Sequence, residues 1–202
     1  MHKKINSKLL VKKSQDSKKK NLLEKNKSLF FDLLKIHAYY GDTHLRNHYS
    51  QDSFVYAYRN DYSMYNLHGA IFNLKRALHF MQKQKQNSFV FVGSPSLAKE
   101  KSSFLFQKLK IPFFPSTEWV PGFISKKASN TSKILIIYDI FTNHGAKCEA
   151  FKAGYPIVGF FTIHGDVNGI DFPINLNLEN CGIWYYSLWK SYFQIKNHDT
   201  RS

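Results

Sequence analysis

The chain has 202 residues, 43% of them hydrophobic and 16% aromatic, enough to bury one core of ordinary domain size. Its formal net charge of +15 and pI near 9.7 make a compact domain repel itself, and a polyanion is the partner that relieves this. No run approaches the roughly 20 apolar residues of a membrane span, no apolar stretch follows the Lys-rich start as a secretory signal requires, and two cysteines are too few for a disulfide framework.

Residues 1–27 stand apart as a Lys-rich extension. Lys3, Lys4, Lys12, Lys13, Lys18, Lys19 and Lys20 lie here, and the only acids are Asp16 and Glu24. So few apolar residues cannot offset the entropy of ordering the segment, so an extended basic arm is expected. It reads as an arm that orders along phosphates, as an import sequence, or as a solvated tail. One α/β domain then spans 28–196, and 197–202 form a C-terminal tail.

Within the domain, Ser28 is placed to cap a helix through Leu33 and Ile36 that Gly41 stops. A basic loop follows with His44, Arg46 and His48. The two histidines have helical i, i+4 spacing, but no cysteine or acid completes a ligand set, and no metal is expected. Residues 54–58 read as a strand and 68–84 as a helix. Next come a strand at 89–92, a helix over 96–109 and a short strand at 111–114. A strand at 134–138, a helix at 144–153, a strand at 156–161 and an apolar helix over 180–195 complete the series. Near-continuous apolar strands alternating with helices predict a mainly parallel sheet covered on both faces, a three-layer doubly wound (flavodoxin-like) fold.

Doubly wound sheets often bind ligands at the carboxyl ends of their strands. The turn Val92-Gly93-Ser94-Pro95-Ser96 is the best phosphate candidate, yet it lacks both GxGxxG and a P-loop lysine. Ser94 or Ser96 capping the next helix is the simpler use. Asp139, Thr162, His164, Asp166 and Asp171 follow strands, where an acid–base set is conceivable. No nucleophile motif accompanies them, and turn-forming polar residues are ordinary at strand ends.

These segments, in this order, resemble the family of small ribosomal subunit protein two in its bacterial and organellar form. Leu33-Leu34-Lys35-Ile36-His37-Ala38-Tyr39-Tyr40-Gly41 is similar to the family's opening helix and glycine. Phe54-Val55-Tyr56-Ala57-Tyr58-Arg59-Asn60 resembles its "FIFGARN" run, and Val90-Phe91-Val92-Gly93 its "LFVG". Glu118-Trp119-Val120-Pro121-Gly122-Phe123-Ile124-Ser125 is similar to the "RWLGGxLTN" block. Asp139, Glu149-Ala150, Gly154 and Pro156 follow the "D…EA…GIP" pattern; Asp166, Gly169, Asp171-Phe172, Ile174 and Asn177 follow the closing "DTNxDPxxVDFxIPGN" segment. The likeness covers about residues 29–195. The sequence departs from the pattern at the missing Trp-Asn-Pro after Gly41, at Glu118 and Pro121, and at Thr162-Ile163-His164. Only residues 126–133 stand where bacterial members insert a helical hairpin, so a short loop is expected there.

The resemblance implies a structural constituent of an organellar small ribosomal subunit, in contact with ribosomal RNA and neighbouring proteins. It implies no enzyme activity, no cofactor, no small-molecule substrate and no membrane. The missing hairpin fits a divergent mitochondrial member, and abundant Lys, Phe, Tyr, Asn and Ile fit AT-rich codons, which together point to the mitochondrial matrix. Candidate RNA contacts are the arm lysines, His44, Arg46, His48, Arg59, Trp119, Lys126, Lys127 and Lys133. Trp119 reads as a stacking platform or, given apolar Val120 and Phe123, as a core anchor. The other class of function is a phosphate- or nucleotide-binding enzyme on the same sheet, with its ligand at Gly93–Ser96 and its pocket near Asp139.

Overall fold

A computed structural model describes residues 28–43, 49–85, 88–115, 119–126 and 133–199. The centre of the fold is a five-stranded parallel sheet. Its strands are β4 (Phe89–Val92), β5 (Phe113–Phe114), β6 (Ile134–Tyr138), β7 (Ile157–Phe161) and β8 (Phe172–Asn175), in the order β5-β4-β6-β7-β8. Every residue of β4, β6 and β7 is buried, as runs without polar alternation require when helices cover both faces. The strand order reverses between β4 and β6, which is the switch point of a flavodoxin-like sheet.

Alternate residues feed two cores. Phe89, Phe91, Ile136, Tyr138, Val158 and Phe160 pack with the helix at 28–35 (α1), α2 (Leu67–Gln82), α3 (Lys99–Lys108) and α6 (Gly182–Asp199). Here Phe91 stacks on Phe106 at 4.2 Å and meets Trp189 edge-on at 5.0 Å. Val90, Val92, Leu135, Ile137, Ile157 and Phe161 instead face α4 (Phe123–Lys126) and α5 (His144–Lys152). The expected three-layer α/β architecture is what the chain forms.

Local chemistry sets the element ends. Helix α1 is stopped by His37, not Gly41: His37 takes φ 55, its amide bonds Leu34 O, and the Ala38 amide bonds Leu33 O. This is a Schellman ending with histidine in place of glycine. Ser28 is already helical. The helix expected over 96–109 opens with a 3-10 turn, Ser96–Ala98, whose cap is Pro95 with no side-chain bond, so neither Ser94 nor Ser96 caps it. Helix α3 ends in another Schellman motif, with Lys110 at φ 55 and the Ile111 amide on Phe106 O. That bond keeps Ile111 out of the strand expected at 111–114 and shortens it to β5.

The strand expected at 54–58 is not in the parallel sheet. It forms β2 (Val55–Arg59) of a separate antiparallel sheet with β1 (Tyr40–Thr43) and β3 (Tyr62–Tyr65), in the order β1-β3-β2. Asn60 and Asp61 both take positive φ, 48 and 64, the geometry of a tight two-residue hairpin that returns the chain antiparallel. Gly41 lies in β1, where a Cβ would come within 2.4 Å of Ser63 Oγ and 2.6 Å of the Tyr65 ring. Asn66 follows the hairpin and caps α2, its side chain accepting the Gly69 amide at 3.1 Å.

Candidate functional site

The carboxyl ends of β4 and β6 border a cleft of about 210 Å³, lined by Ser94, Ser96, Tyr138, Asp139, Glu179 and Gly182. Ligand pockets are usually about 300–1,000 Å³. Its polar side chains include two carboxylates, which repel a phosphate. Gly93, at φ 81, does not open the turn to a ligand: a Cβ there would meet Tyr138 O at 2.2 Å and Asn143 Nδ2 at 2.8 Å. Its bare backbone is needed for close approach of β4 to the end of β6. Asn143 is buried and donates to Tyr138 O at 2.8 Å and to Asp139 O at 3.0 Å, closing the turn that leads from β6 into α5. The Tyr138 hydroxyl donates to Leu178 O, and burial, aided by Cys181, Asp139 and Glu179, holds that phenol well above its ordinary range.

The strand-end acids are occupied locally. Asp139, itself at φ 60, accepts from the Phe141 amide at 3.1 Å and from the Thr142 hydroxyl, closing a turn. Asp166 pairs with buried Lys147 at 2.8 Å and accepts the Asn168 amide at 3.0 Å. Asp171 accepts the Ile157 amide at 2.9 Å. His164 lies edge-on to Phe141, with ring centres 6.3 Å apart. Asp139, Asp166 and Asp171 thus each fix a turn or a strand end, and Asp171 stands at the amino end of β7, away from the strand ends that carry Asp139. Among the described residues no three His, Cys, Asp or Glu side chains gather as a metal site.

Segments far apart in sequence meet in space. Both oxygens of Glu149, on α5, accept the amides of Gly122 and Ile124 at 3.1 and 3.0 Å, clamping the Trp119 block onto the helix. Asn177, after β8, donates to Tyr40 O at 2.5 Å and accepts the Asn180 amide, and its own amide bonds Ala38 O at 2.8 Å. These contacts tie the two ends of the domain together. The sequence offered no sign of the Glu149 clamp, because it spans 25 to 27 residues.

The candidate RNA contacts divide. The arm lysines, His44, Arg46, His48 and Lys127 lie outside the described residues, as does most of the expected 126–133 loop, and Lys126 is described only as the last residue of α4. Trp119 is half-buried, edge-on to Phe114 at 5.3 Å and Phe123 at 5.9 Å, so it anchors the second core. Lys133 sits over Phe123 at 5.4 Å, which brings it into the same cluster as Trp119. Arg59 is elsewhere, exposed on the hairpin opposite Tyr62, which stacks on Tyr40 at 5.2 Å.

No protein-family model matches the chain, and no curated protein matches its sequence. No described helix is long and apolar enough to cross a membrane.

Proposed function

We propose that the protein is a structural constituent of the small subunit of a mitochondrial ribosome, held there by small-subunit ribosomal RNA and neighbouring ribosomal proteins. One observation carries this reading. The residues that carry the sequence likeness, Glu149, Gly122, Asp171 and Asn177, all serve as internal fasteners of the scaffold. A ribosomal protein uses its fold in that way, as a rigid body that displays a charged surface, and the fold alone implies no reaction. The basic balance of +15 supports the same partner.

Sedimentation tests the assignment. In lysates resolved on sucrose gradients, the tagged full chain is expected to travel with the small subunit and to remain there at moderate salt. Recovery only from the free fractions, with intact ribosomes on the same gradient, would overturn it.

A further inference from the structure

We infer that the RNA-binding surface of the folded domain is the end of the sheet where its strands begin, opposite the end where doubly wound domains usually bind ligands. This deepens the assignment above and rests on RNA as the partner.

The surface follows from topology. All five strands are parallel, so their amino ends share one side of the molecule. Each helix that leads into a strand delivers its carboxyl end to that side. Lys83 and Lys85 follow α2 and precede β4; Lys108 and Lys110 end α3 before β5. Lys133 immediately precedes β6, and Lys152 ends α5 before β7. Helix α6 finishes on the same side, because Lys196 donates to Met81 O at 2.9 Å and Gln84 O at 2.5 Å.

In sheet order the row runs Lys110, Lys85, Lys133, Lys152, crossing four neighbouring strands, or about 15 Å at the usual strand spacing. Lys83, Lys85, Lys108, Lys110 and Lys152 are all exposed, and none has an ion-pair partner among the described residues. Lysines in a last helical turn favour the helix dipole, which accounts for Lys108 and Lys152. It does not account for Lys85, Lys110 or Lys133, which lie beyond the helices. The opposite end carries the carboxylates Asp139 and Glu179 beside the cleft. Asp171 also stands at the amino ends, where its carboxylate is taken up by the Ile157 amide; the lysines outnumber it there, and the phosphate backbone of structured RNA complements them.

Salt-dependent binding of the full chain to a short RNA duplex tests this, with phosphatidylserine vesicles as a second probe. The variant K83Q/K85Q/K108Q/K110Q is compared with K35Q/K99Q/K101Q/K190Q, which removes four exposed lysines elsewhere. The first is expected to make the log–log salt slope shallower by about three units, near one per lost phosphate contact, and the second by less than about one. K85Q and K110Q alone are each expected to lower it by about one, which keeps the test open should the quadruple variant fold poorly. Equal slopes for the two quadruple variants would overturn the surface, as would vesicle binding without duplex binding. If the slope changes as expected but the chain never sediments with the small subunit, the surface stands and the ribosomal assignment falls.

Discussion

The two sheets of this protein solve the same hydrogen-bonding problem in opposite surroundings. In the parallel sheet, β6 and β7 bury every residue between two helical layers, and apart from Gly159 their side chains are all aliphatic or aromatic. In the antiparallel sheet, β2 leaves four of its five residues exposed, Tyr56 at 79% and Tyr58 at 52% among them. An antiparallel sheet needs only one covered face, and here the side of β3 that carries Ser63 and Tyr65 supplies it. Aromatic residues alone therefore do not mark the core of this chain. Pairing geometry determines which of them are covered.

Substitutions in the two sheets should separate accordingly. Phe91→Ala removes a ring held by Phe106, Trp189 and Phe193, and is expected to lower unfolding stability by about 3–5 kcal/mol in urea denaturation. A loss near 1 kcal/mol would mean that the first core is loosely packed. Next in size is the clamp between α5 and the Trp119 block. Glu149→Ala strands two amides and is expected to cost about 2 kcal/mol, with Glu149→Gln recovering part of it through the remaining acceptor. If Gln is no better than Ala, charge rather than acceptance by the oxygens holds the block.

Alkaline pH probes the first core from another direction. Burial pushes the Cys181 thiol up to about 12 from an ordinary 9.0, and the Tyr192 phenol to about 12 from 10.0. Above pH 9 the unfolded chain gives up the thiol proton that the folded chain keeps. Stability contributed by these groups is therefore complete below pH 9 and falls as pH rises toward 12. The slope is at most about 1.4 kcal/mol per pH unit for each group. Urea midpoints should hold from pH 8 to 9 and decline from 9 to 10, and Cys181→Ala should flatten that step, where the thiol acts before the phenol. An unchanged slope in that variant would sink the attribution to Cys181. The smallest effect belongs to the open sheet: Tyr56→Ala should shift stability by less than about 0.5 kcal/mol. A larger loss would show that the exposed hairpin braces the domain.

The legible parts of this fold are those whose signal is local. Val92, Ile136 and Phe160 sit in unbroken apolar runs, and such runs announce buried parallel strands before any contact is known. The hairpin was only half legible, since residues 55–58 have strand composition but the Asn60–Asp61 turn lacks the glycine that usually marks one. His37 hid the end of α1 for the same reason: it takes a left-handed conformation in which glycine is the usual resident. Of the candidate contacts, Trp119 showed its apolar neighbours in sequence, and those neighbours proved to be its packing partners in part, with Phe123 against its ring.

By itself the sequence determined the succession of elements, the two-sided burial of the strands and a large positive charge. It could not say where that charge stands. Lys85, Lys110, Lys133 and Lys152 are scattered over 68 positions, each beside different neighbours. Only parallel pairing, which starts every strand at one end of the sheet, gathers them into a row, because strand direction is a property of the assembled sheet that no single segment carries.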